Sequence, residues 1–457
     1  MGTIRSQFIE SWKDRYPPAP PGCLSVSRLY RAHRGGSLKS PFWVAGQVSW
    51  IEKEEASQQV KIGLFESGAF LILSGLDPHW KLGDATVYGA EVLSPGDRVA
   101  FWVTESISEE ELEGNRVVFT ECQILTLQQR ELRRFLPDLD HLSQWPQFLQ
   151  LIRDFFRERG LREVFTPSLV PNPGMEPELI PFSTEFFWGR RVEQLYLPTS
   201  PEIHLKKMLA SECGDLFEIK KCFRNEEVSD HHEPEFLMLE WYRSYADLKD
   251  IQIDLVDLIS FLGEQHMIQE SGVTVEQTSM SDLFDEYVGL SLTPDTSAEE
   301  LKKILDRDKV PYLPADSWDD LFHLIFLTYI EPKIGWKNPL IVNDFPPSQA
   351  ALARINERGW ADRFELYWRG LEIANAFHEL NDPEEQERRW KRDDQLREQK
   401  KRKDRYWDQE FLDSLSAGMP PSGGIALGLE RLYMACRKEL ELPKIKAFSH
   451  KKRLDAE

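Results

Sequence analysis

The spacing of hydrophobic and polar positions changes along this chain. Between residues 40 and 127, short alternating runs recur at Phe42–Ile51, Val60–Phe65, Ala69–Leu73, Ala85–Leu93, Arg98–Thr104 and Arg116–Leu125. Turn residues such as Ser94-Pro95-Gly96-Asp97 separate them. Five or six strands at this spacing predict a small all-β, OB-like barrel over 40–130. From 145 to 265, helical and strand periods alternate. Residues 280–335 read as charged helices, with Leu321–Ile330 their most apolar stretch. Strands return at Leu340–Asn343 and Phe364–Ala374. The pattern predicts an α+β domain over 140–457, an antiparallel sheet flanked by helices. Ahead of both lies an irregular basic segment, 1–39, marked by Pro17, Pro18, Pro20 and Pro21.

Composition narrows the function. No run approaches the ~18 apolar residues of a membrane span. The first residues lack the apolar core of a secretory signal. Five cysteines, Cys23, Cys122, Cys213, Cys222 and Cys436, follow no metal spacing. Together these features point to a reduced cytoplasmic protein without a membrane. The net charge of −21 opposes a long tRNA surface, because gripping a polyanion takes cations. The barrel is acidic too, with the run Glu109-Glu110-Glu111. Its aromatics, Trp43, Trp50, Trp80, Phe101 and Trp102, are expected to fill its core. The basic run Arg388–Arg405 reads as a solvated helix face or a docking surface for an acidic protein.

Two segments carry candidate chemistry. In Phe223-Arg224-Asn225-Glu226, Arg and Glu two apart are expected to share one face of a strand. His232 and, four residues on, Phe236 follow. A guanidinium for phosphate, a carboxylate for an exocyclic amine and a ring to stack suit a bound nucleotide. The second segment, Gly423-Gly424-Ile425-Ala426-Leu427-Gly428-Leu429-Glu430-Arg431, joins a Gly-rich strand to a helix near Leu429. Arg431 then sits in the first helical turn, where phosphate is favoured.

These segments resemble motifs 2 and 3 of class II aminoacyl-tRNA synthetases, and Leu151 to Asn172 resembles motif 1. The likeness narrows to the lysine branch, and within it to the ligases that attach (R)-β-lysine to elongation factor P. It rests on Ser200-Pro201-Glu202-Ile203-His204, Leu239-Glu240-Trp241-Tyr242-Arg243, Phe345-Pro346 and Gly370 through Leu380. It covers about residues 140–450. That family lacks the N-terminal barrel, whereas lysyl-tRNA synthetases carry one that reads the anticodon.

The resemblance implies an ATP-dependent ligase that makes an aminoacyl-adenylate of lysine or (R)-β-lysine and passes it to elongation factor P. It implies a homodimer, with motif 1 at the subunit interface. Arg224 and Arg431 would be the catalytic groups, holding the α- and γ-phosphates. Phe236 would stack the adenine and Glu226 accept from its amine. Ile373 and Gly428 would complete the ATP site. Glu233 stands where the family has Asn and cannot donate through an amide. Glu372 and Glu379 would hold Mg²⁺. Ser200, Glu202, Glu240, Tyr242, Asn375 and Glu379 would take the amino acid's two ammonium groups, since buried ammonium needs such partners. Ala426 matches the β-lysine ligases, where lysyl-tRNA synthetases usually have Gly. The alternatives are a lysyl-tRNA synthetase-type enzyme, and a non-catalytic regulatory paralogue.

Overall fold

In a computed structural model, the chain divides into two compact units, Met1–Arg134 and Phe135–Glu457. The structure describes residues 139–174, 179–399 and 407–455 of the second unit. In the first it describes 20, 23–26, 28–29, 41–54, 59–66, 69–76, 79–82, 85–88, 97–103, 116–119 and 121–126.

The first unit is a single curled sheet. Its strands are β1 (Leu24–Ser25), β2 (Phe42–Glu54), β3 (Gln59–Glu66), β4 (Ala69–Leu76), β5 (His79–Leu82), β6 (Ala85–Tyr88), β7 (Arg98–Val103), β8 (Arg116–Val118) and β9 (Glu121–Thr126). Their order is β6-β5-β9-β7-β2-β3-β4-β8, with β1 beside β2. The expected last strand, Arg116–Leu125, is two strands, parted where Phe119 turns inward and is buried. The aromatics do not all fill the core. Phe101 is buried, but Trp43 and Trp102 face each other across β2 and β7, half-exposed, ring centroids 5.3 Å apart.

The second unit is built on an eight-stranded sheet. Its strands are β10 (Arg162–Glu163), β13 (Leu216–Phe223), β14 (Glu235–Ser244), β15 (Glu276–Ser279), β16 (Leu340–Phe345), β17 (Ala361–Trp368), β18 (Leu371–His378) and β19 (Ser422–Gly428). The hairpin β11 (Ser183–Trp188) with β12 (Arg191–Tyr196) stands apart. The order is β10-β13-β14-β19-β18-β17-β16-β15. The six central strands are antiparallel, and each edge strand pairs parallel.

One face of this sheet is apolar. Leu239 and Trp241 on β14, Ile425 and Leu427 on β19, Ala374 and Ala376 on β18, and Phe364 and Leu366 on β17 are buried together. They pack under α1 (Leu139–Glu158), α3 (Leu248–Glu264) and α9 (Leu429–Arg437), while α2 (Glu202–Ala210) belongs to a separate apolar cluster. The residues that alternate with them therefore point to the other face, which is the polar one.

The stretch expected as one strand, Phe364–Ala374, is a hairpin. Arg369 and Gly370 turn the chain with φ of +55° and +72°. Two consecutive positive φ values suit the right-handed twist of a tight hairpin. A Cβ on Gly370 would stand 2.9 Å from the Trp336 ring, so only glycine fits there.

Candidate active site

The sheet register assembles the polar face. Glu240 of β14 lies opposite Ala426 of β19, which lies opposite Asn375 of β18, which lies opposite Glu365 of β17. The adjacent row runs Tyr242, Gly424, Phe377 and Arg363. Paired residues on neighbouring strands share a face, so eight positions on four strands share the polar one, and all but Glu240 and Gly424 line one cleft. Gly424 is the narrow point: a Cβ there would overlap the Glu379 carboxylate and the Tyr242 ring.

The cleft is about 480 Å³. Most of the expected residues line it: Ser200, Glu202, Arg224, Phe236, Tyr242, Glu372, Ile373, Asn375, Glu379, Ala426, Gly428 and Arg431.

One end is acidic. Glu240 is fully buried and accepts from Ser200 Oγ at 2.6 Å and Tyr242 OH at 2.9 Å. Glu202 and Glu379 stand on either side of Lys206, whose Nζ is 2.5 Å from Glu202 Oε1 and 2.6 Å from Glu379 Oε2. Lys206 is wholly buried, an internal base among these acids. Burial alone would push its ammonium down, but Glu202 and Glu379 outweigh that and hold it above the ordinary lysine range. Burial, then the neighbouring Glu202 charge, pushes the Glu240 carboxyl up to about 8. Burial also raises Glu379 to about 8, against the pull of Lys206. Three carboxylates surround one internal cation. With all three ionised, the shortfall is two positive charges.

That deficit sets a pH dependence. In the empty cleft Glu240 and Glu379 hold protons up to about pH 8. A dication favours their ionised forms, so binding depresses both values and releases protons. Affinity for a diamino acid should therefore rise from pH 6 to pH 8, by up to about tenfold per unit for each proton lost. It should level off once the carboxyls ionise unaided. Calorimetry at each pH, in buffers of different ionisation enthalpy, checks this; proton-neutral binding would count against it.

The other end is cationic. Arg224 lies over the Phe236 ring, its guanidinium carbon 5.2 Å from the centroid. Its Nε is buried with no partner, a donor aimed into the cleft. Arg431, in the first turn of α9, donates to Glu372 O at 2.8 Å and to His232 Nε2 at 2.6 Å. Burial, then the Arg431 charge, lowers His232 to about 4, so the ring is neutral and its Nε2 accepts. Its Nδ1 then donates to Ser229 Oγ at 2.8 Å.

Three expected contacts change. β13 ends at Phe223, so Arg224 and Glu226 are not on a strand. Glu226 sits in a turn at φ +64°, exposed, and Glu227 lines the cleft instead. Glu233 is buried at the cleft wall, and its carboxylate accepts from Ser449 Oγ and from His450 N at 3.0 Å. Glu379, expected beside Glu372 at a metal, pairs here with Lys206.

Glu372 still reaches the cleft, for a reason absent from the spacing. Leu366 pairs with Ala374 but Tyr367 pairs with Glu372, so Ile373 is an extra residue, a bulge. Without it Glu372 would share the apolar face with Ala374 and Ala376. With it Glu372 joins Asn375 and Phe377. Its charge, after burial, helps raise Glu365 to about 7 and raises Glu331 as well. Arg363 links this end to Asn375, donating from Nε to Asn375 Oδ1 at 2.9 Å and also bonding Glu365. Lys206, Arg363 and Glu365 were not anticipated. Their signals were the i, i+4 spacing of Glu202 and Lys206, and the alternation of Arg363, Glu365 and Tyr367 along one strand.

Among the described residues, no three His, Cys, Asp or Glu side chains converge into a metal cage. No described helix is long and apolar enough to cross a membrane. In the basic run, Arg388 and Arg389 pair with Glu385, and Lys391 with Glu387, within α7 (Pro383–Gln399). Residues 400–405 of the run lie outside the described residues.

Residues 133–452 match the family described as tRNA synthetases class II (D, K and N). The chain is also similar to proteins named elongation factor P–(R)-beta-lysine ligase. It is 40% identical to that of Haemophilus influenzae strain PittGG over 303 residues, 65% of this chain and 91% of the relative. It is 38% identical to that of Haemophilus ducreyi over 301 residues, 65% of this chain and 90% of the relative. The protein of Salmonella dublin is 37% identical over 304 residues, 65% of this chain and 91% of the relative.

Proposed function

Because the chain belongs to the class II tRNA synthetases (D, K and N), we propose that it is a ligase activating a diamino acid with ATP, (R)-β-lysine or lysine, and transferring it to a lysine of elongation factor P in the cytoplasm. The observation that carries the diamino acid is the cleft's shortfall of two positive charges around Lys206. The relatives' names supply the acceptor.

The two ends of the cleft divide the work. The amino acid's ammonium groups lie among Glu202, Glu240, Tyr242 and Glu379, which directs its carboxylate toward Arg224. ATP lies along Phe236 and Gly428, with Arg224 on the α-phosphate and Arg431 on the γ-phosphate. A carboxylate oxygen attacks the α-phosphorus, and the bond to the pyrophosphate oxygen breaks. The acceptor's amine then attacks the acyl carbon, forming an amide and releasing AMP and a proton. Neither step needs a protein nucleophile; alignment and charge neutralisation carry both.

The cationic end also suits Mg²⁺. That ion keeps several waters and takes one or two carboxylates besides phosphate oxygens. Glu372, with the raised Glu365 behind it, offers such oxygens beside Arg431. Bound there, the ion would neutralise phosphate charge.

Pyrophosphate exchange with lysine, (R)-β-lysine and ornithine tests the reading, followed by acyl transfer to elongation factor P and to tRNA. Exchange with none of them overturns it. Efficient tRNA charging with elongation factor P ignored favours the lysyl-tRNA synthetase alternative. Ala426→Gly belongs in the same assay. The Ala426 methyl stands between Glu240 and Asn375, and one such group changes discrimination by about 1–3 kcal/mol. Its removal should shift use toward α-lysine.

The same reading makes the protein a homodimer. Phe165 and Leu169, in the segment resembling motif 1, are exposed, as are Phe187, Trp188 and Val192 of the β11–β12 hairpin. So much apolar surface on a short stretch of chain calls for a partner, and a second copy through an isologous contact is the commonest one. Light scattering at micromolar concentration should return twice the chain mass; a monomer counts against it.

A further inference from the structure

The loop 224–234, between β13 and β14, carries both Arg224 and His232, the residue on which Arg431 rests. Its internal bonds are few: Arg224 N to Pro234 O at 3.0 Å, and the turn closed by Ser229 and His232. Asn225 N donates outside the loop, to Ile180 O at 2.8 Å, and the end of the chain supplies further ties. Leu442 N donates to Asp230 O at 2.8 Å. Lys451 pairs with the Asp230 carboxylate, and Lys446 donates to Glu235 O. Glu233 takes the most. Its oxygens accept from Ser449 Oγ, from His450 N at 3.0 Å and from Lys451 N at 3.5 Å. Glu233 and Ser449 are both buried, at 2% and 1% exposure. A charged acceptor satisfied three times in a buried place is a stronger tie than surface ion pairs provide.

We propose that residues 442–455 are a strap that holds the phosphate-binding loop in its ATP-receiving form, with Glu233 as the buckle. This assigns Glu233, which replaces the family's Asn, a positioning role in place of a contact to the base. It rests on the functional reading above only in taking the ligand to be ATP. A loop that needs this fastening visits other forms once unfastened. The apparent affinity for ATP then falls by the fraction of time the competent form is present. Once ATP is bound the loop is held by its ligand, so turnover changes little.

The test uses two variants of the full-length enzyme's gene: a chain ending at Ala447, and the full chain with Ser449→Ala and Lys451→Met together. The second keeps the whole chain and changes only two side chains, so it folds even if the shortened chain does not. In a folded variant, KM for ATP should rise on the order of tenfold, the effect of about 1.4 kcal/mol. The values of kcat and of KM for the amino acid should stay within about threefold, which is under ~0.7 kcal/mol on the same scale. Hydrogen exchange of amides in 224–235 should speed up without ATP and return to the parent rate with it. Unchanged KM for ATP and unchanged exchange in a folded variant overturn the strap. So does a fall in kcat with KM for ATP unmoved. If the parent enzyme activates no diamino acid, the functional reading fails. The exchange rates without ATP then still decide whether residues 442–455 fasten the loop.

Discussion

Replacing Arg224 or Arg431 with alanine should cut adenylate formation by about 10²–10³, the usual loss when a preorganised charge partner of the transition state is removed. The two variants should differ in stability. Arg224 Nε has no partner in the free protein, so Arg224→Ala removes a group the fold does not use and should leave Tm within a few degrees. Its guanidinium lies over the face of Phe236, an interaction worth about 0.5–1 kcal/mol. Arg431 is tied to Glu372 O and to His232, so Arg431→Ala also releases the loop residue it braces. It should lose more Tm and more ATP affinity than Arg224→Ala does. Lysine at either position should not rescue the rate, because a point charge cannot reproduce the planar fork on phosphate. Pyrophosphate exchange with circular dichroism melts measures both quantities. Near-normal exchange in either alanine variant removes that arginine from the phosphate site.

The arginines were legible because each stands in a short motif whose residues are contiguous in sequence. What sequence reasoning missed depends on register. Glu226 was placed beside Arg224 by extending strand alternation past Phe223, where the strand ends and the chain turns. Glu372 reaches the cleft only because Ile373 is a bulge, and one inserted residue reverses the facing of everything before it. Arg363 and Glu365 were hidden because Phe364–Ala374 was taken as one strand. The Arg369-Gly370 turn, a hairpin signal in its own right, folds that stretch back so that Glu365 opposes Asn375. Glu233 is held by residues more than two hundred positions away, a distance no local pattern encodes. In the N-terminal unit the strand content was readable from alternation. Which face Trp43 and Trp102 occupy followed only from the pairing of β2 with β7.

Lys206 was missed for another reason: four residues after Glu202 on a helix, it looks like an exposed ion pair of little worth. Buried between Glu202 and Glu379, it is the cation that faces these two acids, and Lys206→Met should be the most damaging change at the acidic end. Breaking a buried pair by removing one partner costs about 3–5 kcal/mol, because the other charge is left uncompensated. In a domain of this size each kcal/mol lowers Tm by roughly 1–2 °C, so a fall of about 5 °C is expected. The sign of its pH dependence follows from the acids. Glu240 and Glu379 already sit near 8, and without Lys206 they move higher. Carboxyls raised in the folded state destabilise it as pH climbs above their unfolded values, since the unfolded chain ionises more readily. The loss of Tm should therefore be small near pH 6, where the acids stay protonated, and large near pH 8.5. Diamino acids should recover part of it at pH 8.5 by supplying positive charge, whereas leucine should not. Activation should fall at least tenfold, because three acids now compete for two ammonium groups and the amino acid shifts from its line with Arg224. Melts at the two pH values, with and without lysine, read all of this. If Lys206→Met melts like the parent at pH 8.5, Lys206 does not neutralise the acids, and the two-charge deficit behind the diamino-acid reading is miscounted.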